Sequence, residues 1–469
     1  MQFIRHASAR TWSAVGLLAT GCAVLALLAP AFLGAQATTT TSIVDSPATR
    51  GGARTGPLRL GDVFEELRTA SPRLKAAESL ARAARSRISA AGLPPDPQAQ
   101  FGWMNYELPS LKPMDVLGMK QLQVMQMLPL GGKLGLSRSI AKDRATAQSE
   151  RADDAWWEVR AQAAMPFYEM YRADQSLVVM RETLRLLGDI REVTEVMYRV
   201  GSGVQSDVLR AQVEIARMTE DTLRMQAMRS GMAARLNAIL DRPQSVPLAS
   251  PVIPRFPNAV ADLDSLEKLA YAARPMLKAG ASDLSAAKSM EKLARKELLP
   301  DLQLGVQYGQ QSMPVVAGDM SSGGTQRMGS LMIGASIPVF ARSRQLKLRE
   351  EAAAMSQMAS SELAAMRADT RAALGERSAD VIRARRLADL YRNTIIPQSR
   401  AAVSSAFAAY RVGKVNFMTL LDAQMTVNKY SQDLIALESE EGRAWADLEM
   451  LTGTALVDLG SSAQSGDKK

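Results

Sequence analysis

The sequence predicts a mainly α-helical chain with a membrane β part, built twice over from a helix–strand–strand–helix unit. Three observations predict it. The chain matches itself at an offset of a little over 200 residues. Each copy holds two segments of polar–apolar alternation. Beyond the N-terminal leader, no apolar run reaches the roughly 18 residues that a spanning helix needs, so a membrane part must be made of strands.

The leader comes first. Arg5, His6 and Arg10 form a basic region, an apolar stretch runs from Ala14 to Leu33, and Ala35-Gln36-Ala37 is the small-x-small pattern read by signal peptidase. Cleavage is expected after Ala37. A retained anchor is the alternative, and Cys22 after Thr20-Gly21 hints at a lipidation site, although the apolar run continues beyond it. The only His and the only Cys both lie in this leader. The remaining chain therefore has no disulfide framework, no His/Cys metal site, and no Cys or His for catalysis. Losing two leader arginines takes the formal charge from +9 to +7. That charge is spread along the chain, with no basic block of the kind that binds nucleic acid.

The duplication rests on ordered matches. Ser71-Pro72-Arg73-Leu74-Lys75-Ala76 pairs with Arg274-Pro275-Met276-Leu277-Lys278-Ala279, and Leu93-Pro94-Pro95-Asp96 with Leu298-Leu299-Pro300-Asp301. Leu128-Pro129-Leu130 pairs with Ile337-Pro338-Val339. Tyr198-Arg199-Val200-Gly201 returns as Tyr410-Arg411-Val412-Gly413, each followed by an Ala-Gln that ends at Gln212 or Gln424. Five matches in one order indicate duplication, and the period is too long for a solenoid.

Each copy opens with an amphipathic helix, about Leu60 to Leu93 and Leu263 to Leu299. After the alternating segments comes a long run of helix formers, about Leu136 to Arg199 and Arg344 to Arg411. Roughly 60 residues at about 1.5 Å each reach about 90 Å, far beyond the needs of a globule. Pro166 and Pro397 predict a bend or break in each. A helix then returns over about Asp207 to Leu240 and Thr419 to Leu451. Pro243, Pro247, Pro251, Pro254 and Pro257 make the bridge between copies non-helical.

In Leu302-Gln303-Leu304-Gly305-Val306-Gln307-Tyr308 every second residue is apolar, and Leu331, Ile333, Ala335 and Ile337 alternate likewise. Phe101 and Trp103, then Leu122 and Val124, do the same in the first copy. Segments of roughly ten residues are long enough to cross a membrane as tilted strands. A soluble sheet with one wet face is the alternative. A closed membrane barrel takes at least about eight strands, so a chain with two pairs cannot close one alone.

The resulting plan is a signal peptide over 1–37, a disordered segment over 38–57, a first repeat over 58–241 with strands about 98–108 and 117–129, a Pro-rich linker over 242–258, a second repeat over 259–456 with strands about 301–311 and 326–339, and a disordered tail over 457–469.

The duplicated plan, the Leu-Pro-x-Asp before the first strand of each copy and the paired Tyr-Arg-Val-Gly turns resemble the TolC family of outer-membrane efflux proteins, over about Leu58 to Thr454. The stretch Met119 to Lys133, with Val124-Met125-Gln126-Met127-Leu128-Pro129 and then Gly-Gly-Lys, is similar to the heavy-metal efflux branch of CzcC- and CusC-like proteins. The resemblance implies a homotrimer in outer-membrane lipid, with four strands per chain in a shared twelve-stranded barrel and a long periplasmic helical barrel. It implies a passive conduit that meets a periplasmic adaptor and, through it, an inner-membrane pump. No enzyme activity and no cofactor are expected. Exported substrates would be heavy-metal cations, with drug or solute efflux and type I protein secretion as alternatives. A periplasmic coiled-coil adaptor or scaffold is the alternative of a different class.

By the same resemblance, Val200, Gly201, Val412 and Gly413 are candidates for adaptor contact, and Asp207, Asp422 and Tyr410 for a periplasmic aperture. A ring of carboxylates favours cations. Each also has a plain structural reading. The glycines end helices, Asp207 suits a helix N-terminus, and Asp422 can be a solvated charge. The second copy has Thr419 where the first has Asp207, which departs from the family's second acid. Met104, Met114, Met119, Met125 and Met127 cluster around the first strand pair. Thioethers can bind Cu(I) or Ag(I), but methionine also fills gaps throughout the helices, and filler is the reading adopted here. Gly131-Gly132-Lys133 and Gly201-Ser202-Gly203 lack the remaining residues of phosphate loops.

Overall fold

The computed structural model describes residues 56–107, 109, 112–113, 118–313 and 324–459. The leader, Met114, and the tail beyond residue 459 lie outside the described residues, as does all but the last two positions of the segment 38–57.

The first copy runs β1 (Leu58–Arg59), α1 (Leu60–Ala70), α2 (Pro72–Ala91), β2 (Gln98–Met104), the short β3 (Tyr106–Glu107) and β4 (Lys112–Pro113), β5 (Met119–Leu128), α3 (Lys133–Arg199) and α4 (Gln205–Ile239). β6 (Pro251–Val252) lies in the bridge. The second copy runs α5 (Leu263–Ala273), α6 (Pro275–Lys296), β7 (Asp301–Met313), β8 (Gly324–Ser336), α7 (Gln345–Leu390), a π-helical turn (Tyr391–Ile395), α8 (Ile396–Arg411) and α9 (Phe417–Thr452). The chain is mainly helical with few strands, and the same plan occurs twice.

The opening helix of each copy is two helices rather than one. The break falls at Ser71-Pro72 and again at Arg274-Pro275, where the pre-proline residues have ψ of 119° and 117°. Proline's ring disfavours the α conformation of the residue before it, so both copies stop and restart a helix there.

The two internal prolines behave differently. α3 passes through Pro166 uninterrupted for its whole 67 residues, about 100 Å at 1.5 Å per residue. Ala163, Ala164, Phe167, Tyr168 and Met170 around it are all buried, and that packing holds the helix despite the lost hydrogen bond. Before Pro397 the surface is open, and the ladder shifts to one π-helical turn. The proline has no N–H to give and its ring crowds the carbonyl four residues back.

Core side chains form separate clusters along the helices instead of one globular core. One packs Leu60, Phe64 and Leu67 of α1 on Phe167 and Tyr168 of α3 and Leu236 of α4. Another packs Leu374 and Val381 of α7 on Trp445 and Leu448 of α9. A third lies next to the turns and joins Leu187 and Ile190 of α3 to Tyr410, Phe417 and Leu420. No helix among the described residues is long and apolar enough to cross a membrane.

The Pro-rich bridge is pinned to the helices it connects. β6 pairs in parallel with β1, Leu58 against Pro251, and Arg229 donates to the Leu248 carbonyl at 3.0 Å. Residues 457–459, the start of the segment read from the sequence as a tail, are tied to the helices. Glu449 takes Arg160 on one oxygen at 2.7 Å and the N–H groups of Leu456 and Val457 on the other at 2.8 and 2.9 Å. A buried carboxylate accepting several donors fixes the segment that supplies them.

Candidate functional site

Two regions carry the candidate residues: the turns that join the long helices, and the four-stranded sheet.

Both turns close by the same backbone geometry. At the end of α3, Gly201 donates to the Tyr198 carbonyl and Ser202 to that of Met197, at 3.1 and 2.9 Å. At the end of α8, Gly413 donates to Tyr410 and Lys414 to Ala409, both at 2.9 Å. This is the Schellman pattern, and Gly201 and Gly413 have φ of +76° and +68°, which only glycine adopts at no steric cost. The pattern leaves Val200 and Val412 pointing into solvent, 70% and 68% exposed.

The returning helices start differently. α9 is capped by Asn416, whose side chain accepts the Thr419 N–H at 2.9 Å and the Thr419 hydroxyl at 2.8 Å. α4 starts from Val204, which has no side-chain acceptor, and Asp207 supplies a carboxylate in the first turn. Counted from the caps, Asp207 and Thr419 occupy the same third position. A negative charge there complements the helix N-terminus that lacks a polar cap.

Asp207 and Tyr410 come from different copies, and the Asp207 charge reaches the Tyr410 phenol. Tyr410 is buried against Phe417, ring centroids 6.1 Å apart, and its hydroxyl makes no hydrogen bond among the described residues. Burial raises the phenol above its ordinary range, Thr194 opposes that, and the Asp207 charge adds to it. Asp422 is not part of this group: it lies exposed on α9 and makes no ion pair among the described residues.

The sheet has the order β2-β5-β7-β8, antiparallel throughout. β5 and β7 join the two copies, and β2 and β8 are left as edges. Its register separates two faces. On one, Phe101, Leu122 and Tyr308 align across three strands, and Ala99, Val124, Val306 and Leu331 across four. This face is open in the protomer, with Val306 60%, Leu331 74% and Ile333 70% exposed. On the other face Gln100, Gln123, Gln307 and Ser330 form a row, and Gln307 donates to the Gln121 side chain at 2.8 Å. Lys120 and Arg327 lie on the apolar face, in the row of Trp103, next to the β2–β5 loop.

The connection from β5 into α3 uses Gly131 and Gly132, both with positive φ. A Cβ at Gly131 would also press on the tip of the Leu299 side chain from the second copy, so the positive φ is what favours glycine there. Gly131-Gly132-Lys133 is thus a structural joint. The sequence missed one feature of the sheet, the face on which each methionine falls. The signal was present as parity along each strand, since alternate residues point to opposite faces, and the register aligns those faces across the four strands.

Residues 266–454, the bulk of the second copy, match the family model described as outer membrane efflux protein. No curated protein matches the chain in sequence. Among solved structures, a membrane protein from Pseudomonas aeruginosa superposes with a TM-score of 0.71 at 18% identity, over 84% of this chain and 93% of that one. The outer membrane protein VceC from Vibrio cholerae gives 0.70 at 17%, over 85% and 96%. CusC, whose structures concern folding and transmembrane channel formation, gives 0.68 at 16%, over 84% and 92%. At these identities the likeness is one of fold, and the fold is that of outer-membrane channel protomers.

Proposed function

We propose that the chain is the outer-membrane subunit of a tripartite efflux system, a homotrimer that conducts substrate passively from the periplasm. The observation that carries this reading is the four-stranded sheet, with one apolar face, one polar face and two unpaired edges. An open edge exposes a row of backbone donors and acceptors that cannot be left bare in lipid. Strand directions alternate over an even number of strands, so β8 of one protomer can meet β2 of the next in antiparallel fashion. Three chains supply twelve strands, apolar face to lipid and polar face to a water-filled lumen. The helices then extend into the periplasm as the conduit. Its activity is transport, with the energy supplied by an inner-membrane pump.

In this reading the Val200-Gly201 and Val412-Gly413 turns are the contacts for a periplasmic adaptor. Asp207 and Tyr410 sit at the aperture, and Asp422 lies farther along the same conduit. Heavy-metal cations are the proposed cargo. The test is to purify the full chain with and without detergent, then record conductance in a planar lipid bilayer. A detergent-dependent trimer with stable conductance is expected. A monomer that stays soluble without detergent would sink the proposal.

A further inference from the structure

The methionines of the sheet are confined to one face. Counting along the register from Gln100, Gln123, Gln307 and Ser330, the side chains on that polar face include Met104, Met119, Met125, Met127, Met328 and Met332. Over Gln98–Met104, Met119–Leu128, Asp301–Gln311 and Thr325–Ser336 the opposite face carries no methionine. Its apolar residues are Leu, Ile, Val, Ala, Phe, Tyr and Trp. The polar face carries none of these: apart from methionine it holds Gln, Gly, Ser and Asp301.

Filler cannot account for this division. A side chain chosen only for apolar bulk belongs on the lipid face, where Leu and Val already serve, and it is disfavoured in a wet lumen. What sets methionine apart from Leu is its sulfur, a soft and polarizable donor. Glycines make room for these side chains. A Cβ at Gly305 would meet Met332 Cε at 3.2 Å and Met125 Cγ at 3.3 Å, so the two methionines converge over one glycine from both sides. A Cβ at Gly309 would lie 2.8 Å from Met119 Sδ. Lys120 and Arg327 face the other way, so no cationic side chain competes at these positions.

We propose that the methionine face is a thioether-lined path for soft monovalent cations, Cu(I) or Ag(I), through the strand barrel. The inference rests on the channel reading and names the chemical class of its cargo. Thioethers are neutral and singly weak, and they recur at successive levels of the strands. That suits passage, which needs sites strong enough to enter and weak enough to leave. The rival is a soft lining for apolar solutes, which methionine also suits. Leucine separates the two, because it keeps the apolar bulk and removes the sulfur.

The experiment uses the full chain in detergent with ¹³C-labelled methionine methyl groups, titrated with Ag(I). The six strand methyls should shift. A variant with Leu at positions 104, 119, 125, 127, 328 and 332 should bind Ag(I) at least about tenfold more weakly, since only thioethers offer a soft ligand there. Its potassium conductance is recorded alongside, as the check that the variant still assembles a channel. A control with Met355→Leu and Met358→Leu, both exposed on α7, should bind as the parent does. Equal Ag(I) affinity in the six-site variant, or shifts confined to helix methionines, would overturn the inference while conductance leaves the channel standing. If the parent does not conduct, the channel reading fails and takes this one with it. If the six-site variant does not assemble, Met125→Leu with Met332→Leu takes its place, and undiminished Ag(I) binding there counts equally against the proposal.

Discussion

Lys133, the first residue of α3, donates to the Asp301 carboxylate at the start of β7 at 2.8 Å and to the Leu299 carbonyl at 3.0 Å. The ammonium is buried, with Glu297 a further 3.7 Å neighbour. One side chain from the first copy thereby fixes where the second copy's sheet begins. Lys133→Ala leaves Asp301 facing the same site without its cation, and breaking a buried pair from one side costs about 3–5 kcal/mol. Asp301 is partly exposed, so a loss nearer about 2 kcal/mol is expected. Thermal unfolding in detergent measures it, and an unchanged midpoint would contradict the role.

Gly413 separates conformation from contact at the tip. Nothing lies within 4 Å of a Cβ built there, so Gly413→Ala introduces no clash. Its cost is the left-handed backbone alone, about 1–2 kcal/mol. Gly413→Asn should cost less, because Asn tolerates that region. Comparing the two variants by thermal unfolding checks the ordering.

Tyr410 offers a test of the aperture reading. Its hydroxyl makes no hydrogen bond among the described residues, so Tyr410→Phe should change protomer stability by less than about 0.5 kcal/mol. If the hydroxyl holds a closed state in the assembled channel, the same variant should raise conductance. Asp207→Asn should lower the preference for cations over anions in reversal-potential measurements. Permeability ratios identical to the parent would remove Asp207 from the aperture.

Acid–base behaviour should show in stability. Burial raises the Asp154 and Asp447 carboxyls above the ordinary range, against the pull of Arg274 on the first and Arg377 on the second. The folded chain therefore binds protons at these sites more readily than the unfolded chain does. Their contribution falls as pH rises from the ordinary carboxylate value through the raised folded values. Asp154→Asn keeps an acceptor for the Met276 N–H and should flatten that decline. Denaturation midpoints measured across mildly acidic pH, parent against variant, decide it.

The copy-to-copy matches were visible in the chain because they are local. Ser71-Pro72 and Arg274-Pro275 sit at equivalent breaks, and Tyr198 and Tyr410 at equivalent helix ends, since pre-proline geometry and glycine's φ act within a few residues. Even so, the amphipathic pattern over Leu60 to Leu93 was continuous enough to hide the break at Ser71. Pro166 misled in the opposite direction, because the aromatic packing that preserves α3 comes from chain segments distant in sequence.

The sequence by itself determined the duplication, the helix-rich composition, the strand periodicity and the turn glycines, each governed by short-range sterics and patterning. Only the tertiary structure decided which residues meet across the copies: Lys133 with Asp301 and Arg160 with Glu449. It also aligned the methionine positions of the different strands on one common face. A one-residue slip in register would carry every strand side chain to the opposite face, and register is fixed by pairing between strands, which no single strand encodes.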